Sequence, residues 1–145
     1  MKISTKGRYA LRMLLDLAEQ KDKGFISLKE IAERQNISKQ YLEHIVSLLN
    51  TSDILRANRG KQGGYMLAKS PAEYTVGQIL RITESSLVPV ACLEDEANQC
   101  KRAGFCKTLP MWNEFYRLIN EYFDGITLQD ILDQHSAQSA DNYVI

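Results

Sequence analysis

The stretch SLKEIAERQNISKQYLEHIVSLLN, residues 27–50, limits what this chain can fold into more than any other. Ser27 followed by Glu30 has the form of a capping box, with the hydroxyl as N-cap and the glutamate at N3. It opens a short helix that would bury Leu28, Ile31 and Ala32. Asn36 tolerates the left-handed conformation that stops a helix. Ser38 then caps a second helix, with Leu42, Ile45, Val46 and Leu49 on one face. Two short amphipathic helices joined by about three residues form a helix-turn-helix signature. Ser38, Lys39, Gln40 and Tyr41 open the second helix and can all form hydrogen bonds. A recognition helix presents such N-terminal side chains to base edges. An ordinary αα-hairpin with a polar turn is the plain alternative.

The next stretch favours DNA. ILRANRGKQGGYMLAKSP, residues 54–71, sets Gly60, Gly63 and Gly64 between two runs of strand character, ILRA and YML. This pattern predicts a β-hairpin whose tip holds Arg56, Arg59 and Lys61. A basic hairpin directly after a helix-turn-helix is a wing. Its glycines let backbone approach a sugar–phosphate surface, and arginine suits a narrow minor groove. The plain alternative is a solvated charged hairpin. The residues expected at DNA are Ser38, Lys39, Gln40, Tyr41, Arg56, Arg59, Lys61, Gly63 and Tyr65.

Charge is divided in the same sense. The 145 residues sum to a net charge of zero. Residues 1–70 hold 13 Lys/Arg against 7 Asp/Glu, a net of +6, whereas residues 71–145 hold 5 against 11, a net of −6. A basic half can meet phosphates, and the acidic half has another task. The opening MKISTKGRYALRMLLDLAEQ is expected to be a helix and not a signal peptide. Arg12 and Asp16 interrupt its apolar run, while Leu11, Leu14, Leu15 and Ala18 recur at helical spacing. No run of eighteen apolar residues exists to span a membrane, so the expected location is cytoplasmic.

After Pro71, Thr75 is placed to cap a helix through about Glu84, burying Val76, Ile79 and Leu80. A long connector without periodicity follows. From Thr108 to Phe123 a longer helix is predicted, with Pro110 in its first turn. Trp112, Phe115, Tyr116, Ile119, Tyr122 and Phe123 form a broad stripe on it, and Met111 and Leu118 lie elsewhere. A helix apolar on more than one face must be covered on two sides, which points to a subunit interface. Gly125 ends it. Thr127 caps a final short helix with Leu128, Ile131 and Leu132, and a flexible tail is expected from Ser136.

All three cysteines fall in the connector, as CLEDEANQCKRAGFC, residues 92–106. In a reducing compartment, three thiols are a poor disulfide framework and a better metal site or redox sensor. Inert cysteines, a Cys3His zinc site and a redox disulfide with one thiol left over are the competing interpretations. Spacing alone does not separate zinc from iron. Lys101 and Arg102 would favour thiolate, and Glu94, Asp95 and Glu96 are expected to face water. The two histidines, His44 and His135, are weak signals. No Ser/His/Asp set, phosphate loop or paired carboxylate motif is present, so no enzyme is expected.

Taken together, MKISTKGRYALRMLLDLA, SLKEIAERQNISKQYLEHIVSLL, RGKQGGYMLAKSP and TVGQILRITE resemble the IscR/NsrR/CymR family of bacterial winged-helix regulators, to about residue 133. The resemblance implies a homodimer on palindromic double-stranded operators, joined through the helix at residues 108–123, with the recognition helix in the major groove and the wing in the minor groove. It also separates cluster-binding members, which carry three cysteines before the dimer helix, from members of the CymR type, which lack them. Cys92, Cys100 and Cys106 match the first group and imply a [2Fe–2S] cluster. Four ligands are needed, and an incomplete thiolate set leaves a weaker fourth bond suited to sensing. Where some relatives have histidine, this chain has Leu109. Where others use an acid near the N-terminus, it has Arg8. Glu43, His44 and His135 are the candidates for the fourth ligand.

The expected architecture is mainly α: a winged helix-turn-helix domain over residues 1–84, a cysteine-bearing loop over 85–107, a dimerisation helix and terminal helix over 108–135, and a tail over 136–145. The implied function is a repressor of iron–sulfur assembly genes. The alternatives are a cluster-free regulator of cysteine metabolism worked by thiols or a partner, a nitric-oxide sensor, and a metal carrier that binds no DNA.

Overall fold

A computed structural model describes residues 1–143. Six helices and one two-stranded antiparallel hairpin follow in the order α1 (Thr5–Glu19), α2 (Leu28–Gln35), α3 (Lys39–Asn50), β1 (Leu55–Asn58), β2 (Gly64–Leu67), α4 (Val76–Thr83), α5 (Leu109–Asp124) and α6 (Leu128–Tyr143). Local chemistry sets the boundaries. Ser4, Ser27, Ser38 and Thr75 each accept a hydrogen bond from the third following amide, a cap worth about 1 kcal/mol. Asn36 stops α2 at φ 53°, ψ 48°. At Ser27 only half of the expected capping box forms. Its hydroxyl accepts from the Glu30 amide, while the Glu30 carboxylate lies 3.9 Å from Arg34. The reciprocal box appears instead at Ser70 and Glu73, just before α4.

The core is built on α1, α2, α3 and the base of the hairpin, with Met13, Leu14, Ile31, Leu42, Ile45, Leu49 and Ile54 sealed from solvent. The buried face of α1 is Ala10, Met13, Leu14, Leu17 and Ala18. Leu11 and Leu15 are only partly covered, so the stripe is rotated from the one expected. A second, smaller cluster joins Val76, Leu80 and Leu87 to Phe123, Ile126 and Ile131. Leu128, the first residue of α6, belongs to the main core. Backbone bonds from Val76 to Ile126 and from Leu128 to Tyr74 tie the α5–α6 turn to the segment before α4.

The final helix is not short: α6 runs on through residues 136–143 of the supposed tail, a stretch in which Ala137, Gln138 and Ala140 favour the helix. Residues 144 and 145 lie outside the described residues. Arg56 is not at the hairpin tip but within β1, opposite Met66. The loop between the strands is Arg59 to Gly63, closed by a bond from the Gly63 amide to the Gly60 carbonyl.

Candidate nucleic-acid interface and cysteine loop

The helix-turn-helix is locked to α1 by a polar network. Asp16, 2% exposed, accepts from Arg34 Nε at 3.0 Å, Arg34 Nη2 at 2.8 Å and Gln35 Nε2 at 3.0 Å. The hydrogen bond to Asp16 pushes the Arg34 guanidinium further up in pKa. Arg12 donates to the Gln35 carbonyl and side chain and lies over the Tyr9 ring at 5.0 Å. Tyr9 in turn meets Tyr41 edge to face at 5.5 Å. Both oxygens of the buried carboxylate thus face donors, which is what allows it to be buried.

Ser38, Lys39 and Gln40 are exposed at the start of α3, with Glu43, His44 and Ser47 further along it. Tyr41 is half-buried against Tyr9 and the core, so it holds the helix as much as it faces outward. On the wing, Arg56, Arg59 and Lys61 are exposed. Tyr65 packs partly on the core, and its amide and carbonyl pair with Ile26 at 2.8 Å each. This two-bond bridge fastens the wing to the entry of α2. Gly64 makes it possible, because a Cβ there would overlap the Ile26 carbonyl. Gly63 has an internal task as well: a Cβ would stand 2.6 Å from the Asn58 carbonyl oxygen. Both glycines serve close approaches inside the protein, where the sequence suggested an approach to DNA.

A cleft of about 390 Å³ separates the wing from α2 and α3. Ser27, Lys29, Lys39, Asn58 and Arg59 are among its lining residues, and no carboxylate is. Lys29 and Asn58 were not among the expected residues. No sequence pattern marks them, because the cleft is a tertiary feature.

The connector from Ser85 to Thr108 carries two short 3-10 turns, Ala91–Leu93 and Ala103–Phe105. Cys92 and Cys106 are half-buried, Cys100 is exposed, and all three are free thiols. Cys106 lies two residues before Thr108, the N-cap of α5. The Thr108 hydroxyl, 3.4 Å from the sulfur, holds that thiol below its ordinary pKa, with help from the Thr108 and Leu109 backbone and Arg102. Arg102 itself stacks over Phe105 at 5.3 Å. Glu94, Asp95 and Glu96 are exposed, as expected. Among the described residues no three His, Cys, Asp or Glu side chains are gathered as a metal set. Glu43, His44 and His135 are exposed on α3 and α6, and none of them completes such a set with the thiols. The donor chemistry still suits a thiophilic iron centre: three uncommitted thiols in one loop, one already biased to thiolate.

The long helix α5 has no buried residue. Trp112, Tyr116, Ile119 and Phe123 form a half-covered row. Met111, Phe115, Leu118 and Tyr122 form a second row that is 54%, 43%, 49% and 66% exposed. The expectation of more than one apolar face holds, but the rows divide differently: Phe115 and Tyr122, expected on the broad stripe, lie with Met111 and Leu118 on the exposed row. The outer one has the 4-3-4 spacing of a coiled-coil seam.

A helix-turn-helix braced by α1, followed by a bridged basic wing, defines a winged-helix transcriptional regulator. The chain belongs to the Rrf2 family, described as iron-dependent transcriptional regulators, whose profile matches residues 3–134. It is similar to the transcriptional regulator CymR of Bacillus subtilis, 40% identical over 131 residues, covering 90% of this chain and 89% of that one. The solved structure of that protein, the global cysteine regulator of B. subtilis, matches with a TM-score of 0.75 at 38% identity, covering 92% and 98% of the two chains. T. potens IscR matches with a TM-score of 0.74 at 37% identity, covering 93% and 88%. These relatives are regulators, and the chain is a transcriptional regulator and not an enzyme. No helix among the described residues is long and apolar enough to cross a membrane.

Proposed function

We propose that this regulator represses transcription from a palindromic operator as a homodimer, and that a [2Fe–2S] cluster held by Cys92, Cys100 and Cys106 controls its binding. The genes it would govern are those of iron–sulfur assembly. The observation that carries this is the placement of all three cysteines in the one loop between α4 and α5. When bound, the cluster would supply a labile iron centre whose occupancy follows iron–sulfur supply. The chain's own residues do the rest. The cysteine thiolates would hold the centre, Thr108 and Arg102 favour the Cys106 thiolate, and the two ends of the loop reach the two functional units. At one end Glu84 accepts hydrogen bonds from the Ser4 amide at 3.3 Å and hydroxyl at 2.7 Å, at the start of α1. At the other end lies α5, whose outer row is proposed as the dimer seam. A change in the loop is thus felt by the helix that braces the recognition helix and by the subunit interface.

Leu109 cannot coordinate, so the fourth ligand comes from elsewhere. We place it on Glu43 or His44, ahead of His135, because a ligand on α3 couples occupancy to the recognition helix. Single substitutions of Glu43, His44 and His135 test this by visible spectroscopy. An unchanged spectrum in all three removes them as ligands.

The likeness to CymR favours a second function, a cluster-free regulator of cysteine metabolism. Anaerobic purification separates the two. Iron and acid-labile sulfide in equal amounts, with visible absorption, support the cluster. A colourless, iron-free protein that still binds DNA supports the second function.

A further inference from the structure

The surfaces expected at DNA flank a gap. One is the start of α3 and the other is the wing, and the cleft between them is lined by Ser27, Lys29, Lys39, Asn58 and Arg59, with no carboxylate. In a duplex, a major groove and its neighbouring minor groove are separated by one sugar–phosphate strand. A protein that puts a helix in the first and a hairpin in the second must pass that strand between them. We infer that this cleft is a binding site for the phosphate of the intervening strand, with Lys29 as its principal cation and the Ser27 hydroxyl and Asn58 amide beside it. This rests on the DNA-binding function proposed above.

Three observations carry the assignment. Lys29 is exposed in the first turn of α2 and makes no ion pair among the described residues, so its charge is uncommitted. The cleft is preformed, because the Ile26–Tyr65 bridge and the close approach at Gly64 fix the wing against the entry to α2. A neighbouring groove, which shares Ser27, Asn58 and Gly63 with this cleft and adds Lys23 and Lys61, includes Glu30. A carboxylate there opposes a phosphate, whereas the part of the first cleft lined by Lys29, Lys39 and Arg59 has none.

The test uses the full chain with two duplexes: one selected by the wild type from a random pool, and one unselected of the same length. Lys29→Ala should weaken binding to both by the same factor and lower the slope of log affinity against log salt by about 0.9 per bound protomer. Lys29→Arg should restore both. Single neutral methylphosphonate linkages are then moved along the selected strand. At one position the substitution should weaken the wild type severalfold and leave Lys29→Ala unaffected. A normal salt slope in Lys29→Ala, a loss confined to the selected duplex, or no linkage that couples to Lys29 would each overturn the site while the wild type still binds DNA. A wild type that binds neither duplex, or binds without salt dependence, would overturn both the site and the DNA-binding function.

Discussion

Gly64 and Gly7 both sit where a side chain would collide, and the two collisions differ in kind. At Gly64 the added Cβ meets the Ile26 backbone, which cannot move without breaking the wing bridge. At Gly7 it meets the carboxylate end of Glu84, a flexible side chain. Gly64→Ala should therefore cost roughly 2–3 kcal/mol and loosen the wing, whereas Gly7→Ala should cost about 1 kcal/mol, the worth of the displaced hydrogen bonds. Urea midpoints of the two variants check the order, and equal losses would refute it. The caps at Ser27, Ser38 and Thr75 were legible in the sequence because each is decided within four residues. The close approaches at Gly63 and Gly64 were not, because glycine in a basic hairpin fits a ligand contact as well as an internal one. Of the cysteines, the sequence conveyed identity and spacing but not environment. Replacing Cys92, Cys100 or Cys106 by alanine should each abolish a stable cluster while far-UV circular dichroism stays unchanged. A normal visible spectrum in any one variant would remove that residue from the ligand set.

Among the elements, α5 is the one that makes least sense in a lone chain. Its outer row of Met111, Phe115, Leu118 and Tyr122 meets no core, and such a seam is stabilised by burial against a second helix. Leu118→Glu should leave the protomer folded and shift it to monomer, read by sedimentation at micromolar concentration. A dimer of unchanged stability would contradict the seam. Helix α5 is held on α4 by Arg81, which donates to Asp124 at 2.7 and 2.9 Å and to Asn120. The guanidinium holds the Asp124 carboxyl below the usual range. A carboxyl lowered on folding contributes stability above its unfolded pKa, and that contribution fades as pH falls through the lowered value. Asp124→Asn should therefore flatten the acid limb of the stability curve below about pH 4. Both partners are near half exposed, so the change should be small. A steeper acid limb in the variant would reverse the assignment. The existence and order of all six helices was legible, since each carries a helical apolar period. That α5 is apolar on more than one face was legible too, but the assignment of Phe115 and Tyr122 to the exposed row was not, because period alone does not say which row finds a partner in the same chain. The length of α6 was missed for a related reason: its second half is polar and gives no amphipathic signal.

Over the whole molecule, the excess of six positive charges in residues 1–70 and of six negative charges in the rest assigns the phosphate-facing work to one half. Affinity for any duplex should fall steeply with salt as counterions are released. Arg59→Ala should cost roughly 1–3 kcal/mol on every sequence, whereas Gln40→Ala should mainly relax sequence preference. Uniform loss at Gln40 would show that it positions the helix and does not read bases. The acidic half carries the cysteine loop, and the Glu84–Ser4 hydrogen bonds join that half to α1. The central claim is that the loop governs DNA binding through its iron centre. Its most direct test is an anaerobic anisotropy titration of one selected duplex with the purified iron-loaded protein and with the same sample stripped by a chelator. The two dissociation constants should differ by about tenfold or more, a coupling of about 1.4 kcal/mol or more. Identical constants for the loaded and stripped protein would contradict it.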